Sequence, residues 1–187
     1  SQLRQQEQEA TRQRHGLAAK ADGLAASLSS YDWTQAGVRK LLAQASSGKL
    51  PVEVLGVVAE RISVQPGQEA LVEAALGADL QAVVVRDGQA AQALGAWATQ
   101  QGLGRLRVVA LNDLAARGTT APAQPIAGLL TPESGFEALA ALWEAAGWEP
   151  GLAEAWNQAR GLTPGQVLVT PDGERLDRPG AATLGRG

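Results

Sequence analysis

From Val169 to Gly187 the chain reads Val-Thr-Pro-Asp-Gly-Glu-Arg-Leu-Asp-Arg-Pro-Gly-Ala-Ala-Thr-Leu-Gly-Arg-Gly. Gly165 to Thr170 has the pattern of a strand, Pro171-Asp172-Gly173 that of its turn, and Glu174 to Leu176 that of the returning strand of a hairpin. Gly173, Gly180, Gly185 and Gly187 are spread through the same stretch. Glycine weakens strand pairing and is kept where the backbone needs positive φ or where another backbone comes close. Two readings stand for this segment alone: a frayed tail, or a surface shaped for another backbone.

Upstream, helix and strand patterns alternate. Val52 to Val64 is apolar and β-branched but interrupted by Glu53, Gly56, Glu60 and Arg61, which predicts a short strand, a close approach at Gly56 and a helical turn. Pro66-Gly67 opens a helix with Ala70, Leu71, Ala74 and Ala75 on one face. It stops at Gly77, and Leu80 to Val85 follows as a strand buried on both sides. Asp87-Gly88 turns into a helix with Ala90, Ala93, Leu94 and Trp97 inward; Gly102-Leu103-Gly104 ends it, and Arg105 to Leu111 is the next strand. Arg117 to Pro125 has the composition of an exposed connection dividing two lobes. Thr131-Pro132-Glu133 has the form of a helix start, with Thr as cap and Pro at the first position, and predicts a helix carrying Phe136, Leu139, Ala140 and Trp143. Leu152 to Arg160 predicts another, bringing Trp156, whereas Gly147 to Gly151 lacks the apolar run of a strand.

At the other end, Leu3, Ala10, Leu17 and Leu24 recur every seven residues, and Glu7, Arg14, Ala21 and Leu28 follow each by four. That predicts one strand of a coiled coil with a half-apolar seam, about 40 Å long, whose partner helix has no matching heptad elsewhere in the sequence. The alternative is an ordinary amphipathic helix packed on its own domain, where Gly16, Gly23 and the polar seam positions would pack poorly. After Ser29-Ser30, Asp32 or Thr34 can cap a helix with Val38, Leu41, Leu42 and Ala45 on one face.

The 187 residues, 45% hydrophobic and 19% charged, are enough for a substantial core. No cysteine is present and His15 is the single histidine, which excludes disulfides, thiolate chemistry and the usual zinc sites. The sequence has no apolar run of the roughly 20 residues that cross a bilayer, and its first residues lack a signal peptide's pattern, so a cytoplasmic protein is expected. A net charge of −3 leaves DNA open without favouring it.

No phosphate-binding Gly-x-x-x-x-Gly-Lys-Ser/Thr loop occurs, and Gly102-Leu103-Gly104-Arg105 follows a helix rather than opening one. The acidic pairs Glu7/Glu9, Glu133/Glu137 and Asp172/Glu174 are spaced as solvated faces and turns. Neither a catalytic constellation nor a cofactor or metal site is expected. Trp97, Trp143 and Trp156 sit on apolar helix faces without interleaved basic residues, the pattern of core filling rather than base stacking. Arg12, Arg14 and Lys20, with Arg39 and Lys40 near the junction with the globular part, form a loose basic cluster. It is a solvated face, or a DNA contact if a second copy doubles it.

In their order and spacing, three stretches resemble motifs of the hinge domain of bacterial structural maintenance of chromosomes (SMC) proteins. They are Leu55 to Ile62 with Gly56, Ala70 to Gly77 continuing through Leu80 to Val85, and Val169 to Gly173 with Gly180 and the Gly185/Gly187 ending; Gly104 to Leu111 fits the next strand motif. The likeness covers most of residues 36 to 187 and departs from the pattern at Ala110, where a proline is usual, and at Arg186, which splits the final glycine pair. It implies an α+β, two-lobed hinge-type domain preceded by a long coiled-coil helix: an arm stub over 1–30, one subdomain over 31–120 and a second over 121–187. It further implies a homodimer, with Gly56, Gly173, Gly180 and Gly185 at the interface. That dimer would join two arms in a nucleoid-associated ATPase that entraps DNA during chromosome condensation and segregation. Kleisin and ATP would bind only at head domains outside this chain. The alternative is a DNA-binding module using the basic residues at the arm junction.

Overall fold

The fold is built on a run of three β-branched residues, Val83-Val84-Val85, all fully buried. β-Branched side chains suit a pleated surface covered on both faces. The computed structural model describes residues 32–184. The arm expected over 1–30 and the glycine at 185 lie outside the described residues.

The first half begins with helix α1 (Asp32–Ser46) and continues through β1 (Gly56–Val57), a 3-10 turn (Val58–Arg61), β2 (Ile62–Val64), α2 (Glu69–Leu76), β3 (Val83–Val85), α3 (Gly88–Gln100) and β4 (Val108–Ala110). Strand β3 lies at the centre of a three-stranded sheet, antiparallel to β1 and parallel to β4. The local signals act as the sequence predicts. Gly77, at φ +51, ends α2, and the Asp87 carboxylate caps α3 by accepting from the Ala90 N–H at 2.9 Å, a contact of about 1 kcal/mol. Helix α1 docks through Val38 and Leu41 on a cluster containing Val57, Val83, Val85 and Leu94.

The second half contains β5 (Gln124–Pro125), a 3-10 turn (Ile126–Leu129), β6 (Leu130–Pro132), a 3-10 segment (Glu137–Leu142), β7 (Ala146–Trp148), α4 (Leu152–Gln158), β8 (Val167–Val169), β9 (Arg175–Arg178) and β10 (Ala181–Thr183). Its five-stranded sheet has the order β10-β9-β8-β7-β5, with β7 and β8 parallel and every other neighbouring pair antiparallel. The two halves repeat one plan: strand, 3-10 turn, strand, helical segment, strand, helix, strand. They meet at an antiparallel ladder, β2 against β6, centred on Ser63 opposite Thr131. The bonds flanking the ladder match as well, Gln65 N–H to the Leu129 carbonyl and Glu133 N–H to the Arg61 carbonyl, both 2.8 Å. The largest core draws on both halves, packing Val58, Leu71, Leu76 and Val84 with Ile126, Leu139, Trp143 and Val169.

Four expectations are corrected. Thr131 and Pro132 belong to strand β6 rather than a helix N-terminus: the cap signature is local, whereas pairing with β2 uses that backbone first. The helix expected after them is a 3-10 segment, Glu137–Leu142. Its Glu137 carboxylate accepts from the Gly135 N–H at 3.0 Å, and this bond, with Glu137's own N–H, holds the carboxyl below its usual range. The associated stability is therefore present at neutral pH and lost as pH falls through the lowered pKa. Residues 146–148 do form a strand. Gly147 disguises it, because a Cβ there would lie 3.0 Å from the Ala123 nitrogen and 3.2 Å from the Gln124 carbonyl oxygen. Finally, Trp156 is 42% exposed. The inward stripe of α4 and the turn after it is Leu152, Ala155 and Ala159, and Trp156 lies one residue round the helix from it.

Candidate functional site

Strand β9 connects two tight turns. At the first, Thr170 is fully buried; its N–H donates to the Glu174 carbonyl at 3.1 Å and the Gly173 N–H returns to the Thr170 carbonyl at 3.0 Å. The Thr170 hydroxyl and the Glu174 carboxylate are also hydrogen-bonded, so the turn satisfies its own polar groups. Gly173 has φ +89 and Gly180, in the second turn, φ +77, a region L-residues avoid. The two glycines thus sit at opposite ends of β9 and do not form one patch. Past Gly180 the chain runs into β10, the outer strand of its sheet, followed by Leu184 at 64% exposure.

The five-stranded sheet is covered on both faces. Leu168 and Leu176 face α4, while Val169 joins the core shared with α2 of the first half. Arg175 reaches into that first half: its guanidinium donates to the Ala74 carbonyl at 3.0 Å and also to the Ala75 carbonyl, in the last turn of α2. A cation there complements the partial negative charge of a helix C-terminus.

Gly56 is buried, and its neighbour is within the chain. A Cβ on it would lie 2.9 Å from the Arg61 Nε and 3.0 Å from the Glu60 carboxylate, at a φ of +116 that already favours glycine. Arg61 donates from Nε to the Leu55 carbonyl at 2.7 Å, pairs with Glu133 at 3.1 Å and lies 5.0 Å over the Phe136 ring. The Glu60 carboxylate accepts from the Val57 N–H at 3.3 Å. Together these side chains bond the Val57 N–H within β1 and the Leu55 carbonyl just before it.

The four outer strands of the two sheets therefore differ. The β1 edge is filled by Glu60 and Arg61, and β5 ends in Pro125, which has no N–H to offer. β4 and β10 are the other two outer strands, and among the described residues no further strand pairs with either.

Between the halves, a cleft of about 860 Å³ is lined by Arg107, Arg117, Arg175 and Arg178 with Asp79, Asp113, Glu144 and Asp177, four charges of each sign. Among the described residues no group of three or more acidic or histidine side chains could hold a metal, and no helix is long and apolar enough to cross a membrane. Arg39 and Lys40 are exposed on α1; Arg12, Arg14 and Lys20 lie outside the described residues. Sequence reasoning missed Arg61 and Arg175, because nothing in their flanking residues tells an arginine that reaches another element from one that is solvated.

The SMC proteins Flexible Hinge Domain family matches residues 51–145. A search of curated proteins found no match. Among solved structures, the asymmetric dimer of the Geobacillus stearothermophilus SMC hinge domain has 26% identity and a TM-score of 0.71, over 96% of this chain and 77% of that one. The Pyrococcus furiosus SMC hinge domain has 20% identity and a TM-score of 0.62, over 84% and 91%. The P. furiosus hinge with an extended coiled coil has 21% identity and a TM-score of 0.64, over 92% and 60%. The family match spans half of the chain, β1 through the end of the 3-10 segment that precedes β7, and on it the chain belongs to the SMC hinge-domain family.

Proposed function

We propose that this chain is a dimerisation hinge that joins two coiled-coil arms, so that DNA is entrapped during chromosome condensation and segregation. The observation that supports it is the pair of unlike outer strands, β4 in one sheet and β10 in the other, with which no further described strand pairs. A two-fold axis that sets one copy's β10 beside its partner's β4 makes the same contact twice and closes, leaving no edge to propagate. In this reading residues 31–120 and 121–187 are the two subdomains and 1–30 begins the arm. Gly180 and Gly185 flank the pairing strand, Gly173 sets the hairpin that carries it, and Gly56 makes room for the side chains that close the competing β1 edge. Kleisin and ATP belong to head domains outside this chain, at the nucleoid. Light scattering after size exclusion tests the reading: a mass near twice 19.3 kDa that holds on dilution is expected, and a monomer at every concentration would refute it.

DNA is a second partner in this proposal, through Arg39 and Lys40 beside the arm residues Arg12, Arg14 and Lys20. Duplex binding should weaken steeply with salt, and Lys40→Glu should lower affinity and flatten the slope by about one phosphate contact per chain. Unchanged affinity and slope in the variant would remove this face of α1 as a contact.

A further inference from the structure

Among the described strands β10 pairs with β9 alone, its register there shifts between Ala181 and Thr183, and its one packed side chain is Ala182, partly buried against the cluster under α4. Asp177, Arg178, Pro179 and Gly180, toward the tip of the β9–β10 hairpin, are all exposed, and the first three border the cleft between the halves. One residue of the hairpin is tied to the other half of the molecule. Arg175 pairs through its backbone with Val169 on one side and Thr183 on the other, while its half-buried side chain binds the Ala74 and Ala75 carbonyls at the end of α2. Leu176, the next residue, faces α4 on the opposite side of the sheet.

Resting on the dimer reading above, we infer that Arg175 is the positioning residue of the edge strand: its clamp on the C-terminus of α2 sets the place and angle at which β10 is offered to a second copy. One guanidinium nitrogen, Nη1, serves both carbonyls, and the rigid planar head fixes its direction, which a lysine ammonium on a flexible stem does less well. Without the clamp, β9 keeps its ladder to β8 and Leu176 keeps its place under α4, so the fold survives. The outer strand then samples many orientations, and association must select among them.

The test uses the 187-residue chain with Arg175→Met, which keeps the apolar stem, and Arg175→Lys, which keeps the charge. Sedimentation across a dilution series reads the dimer dissociation constant, and amide hydrogen exchange reads each strand. Arg175→Met should raise the dissociation constant about tenfold or more, the scale of charge-assisted hydrogen bonds, and Arg175→Lys by a smaller factor of about threefold. Exchange should quicken in residues 181–184 while β8 and α3 stay protected, a pattern that general destabilisation would not produce. Parent-like affinity in Arg175→Met overturns the inference. If that variant does not fold, parent-like affinity in Arg175→Lys does the same. A parent chain that is itself a monomer removes the dimer reading, and the inference with it; a dimeric parent with unaffected variants removes the inference alone.

Discussion

Gly180→Glu is expected to give a folded monomer at concentrations where the parent chain is a dimer. At φ +77 any residue with a Cβ is strained by about 1–2 kcal/mol. Yet a Cβ at this position has nothing within 4 Å, so the chain itself has room for the side chain. The larger penalty falls on association. The glutamate stands at the entry to β10, where a second backbone would desolvate it without a partner, at a cost of several kcal/mol. With every 1.4 kcal/mol worth a factor of ten, the dissociation constant should rise by about 100-fold or more. Gly67→Glu is the control. It has similar strain, φ +84, and equally open surroundings, but lies ahead of α2, away from both β4 and β10. Sedimentation equilibrium with far-ultraviolet circular dichroism reads both quantities. A Gly180→Glu protein as dimeric as the control would sink the β10 interface.

The second large effect is on stability. Trp143 is 2% exposed, directly after the 3-10 segment 137–142, in the core that both halves share. Trp143→Ala should cost about 3–5 kcal/mol, combining lost burial with the cavity left behind. In a chain of this size that lowers Tm by on the order of 10 °C, measured at matched protein concentration because dimerisation raises the apparent Tm. Trp156→Ala, on the exposed side of α4, should fall within about 0.5 kcal/mol of the parent. Equal losses in the two variants would contradict the shared core.

The contrast between these tryptophans marks how far the sequence could be read. Features whose cause is local were legible: Gly77 ending α2, Asp87 capping α3, Pro171-Asp172-Gly173 turning the hairpin, and the doubly covered β3. Features whose cause lies far along the chain were not. Thr131-Pro132 carries a helix-start signature, but its backbone is claimed by Ile62–Val64. Gly147 weakened the pattern of β7 because β5 presses against it, and an α4 only seven residues long puts its tryptophan at the margin of a narrow inward stripe. At the candidate site the glycines were found by composition. What they serve was not: Gly56 accommodates Arg61, and Gly173 and Gly180 bracket β9. The two arginines that organise the edges act through carbonyls that no pattern in their own neighbourhood foretells.

The β2/β6 ladder maps onto itself when its strands are exchanged, with Ile62 opposite Pro132 and Val64 opposite Leu130 about the central Ser63 and Thr131. Any antiparallel pair has this local two-fold, but here the paired strands are also the equivalent elements of the repeated plan, so the two halves face each other across the ladder as counterparts. A serine and a threonine, or a valine and a proline, occupy equivalent places in it, because the ladder constrains backbone and leaves the side chains free to differ. Among the described residues only the second half carries a β9–β10 hairpin, and it is there that the equivalence of the halves ends.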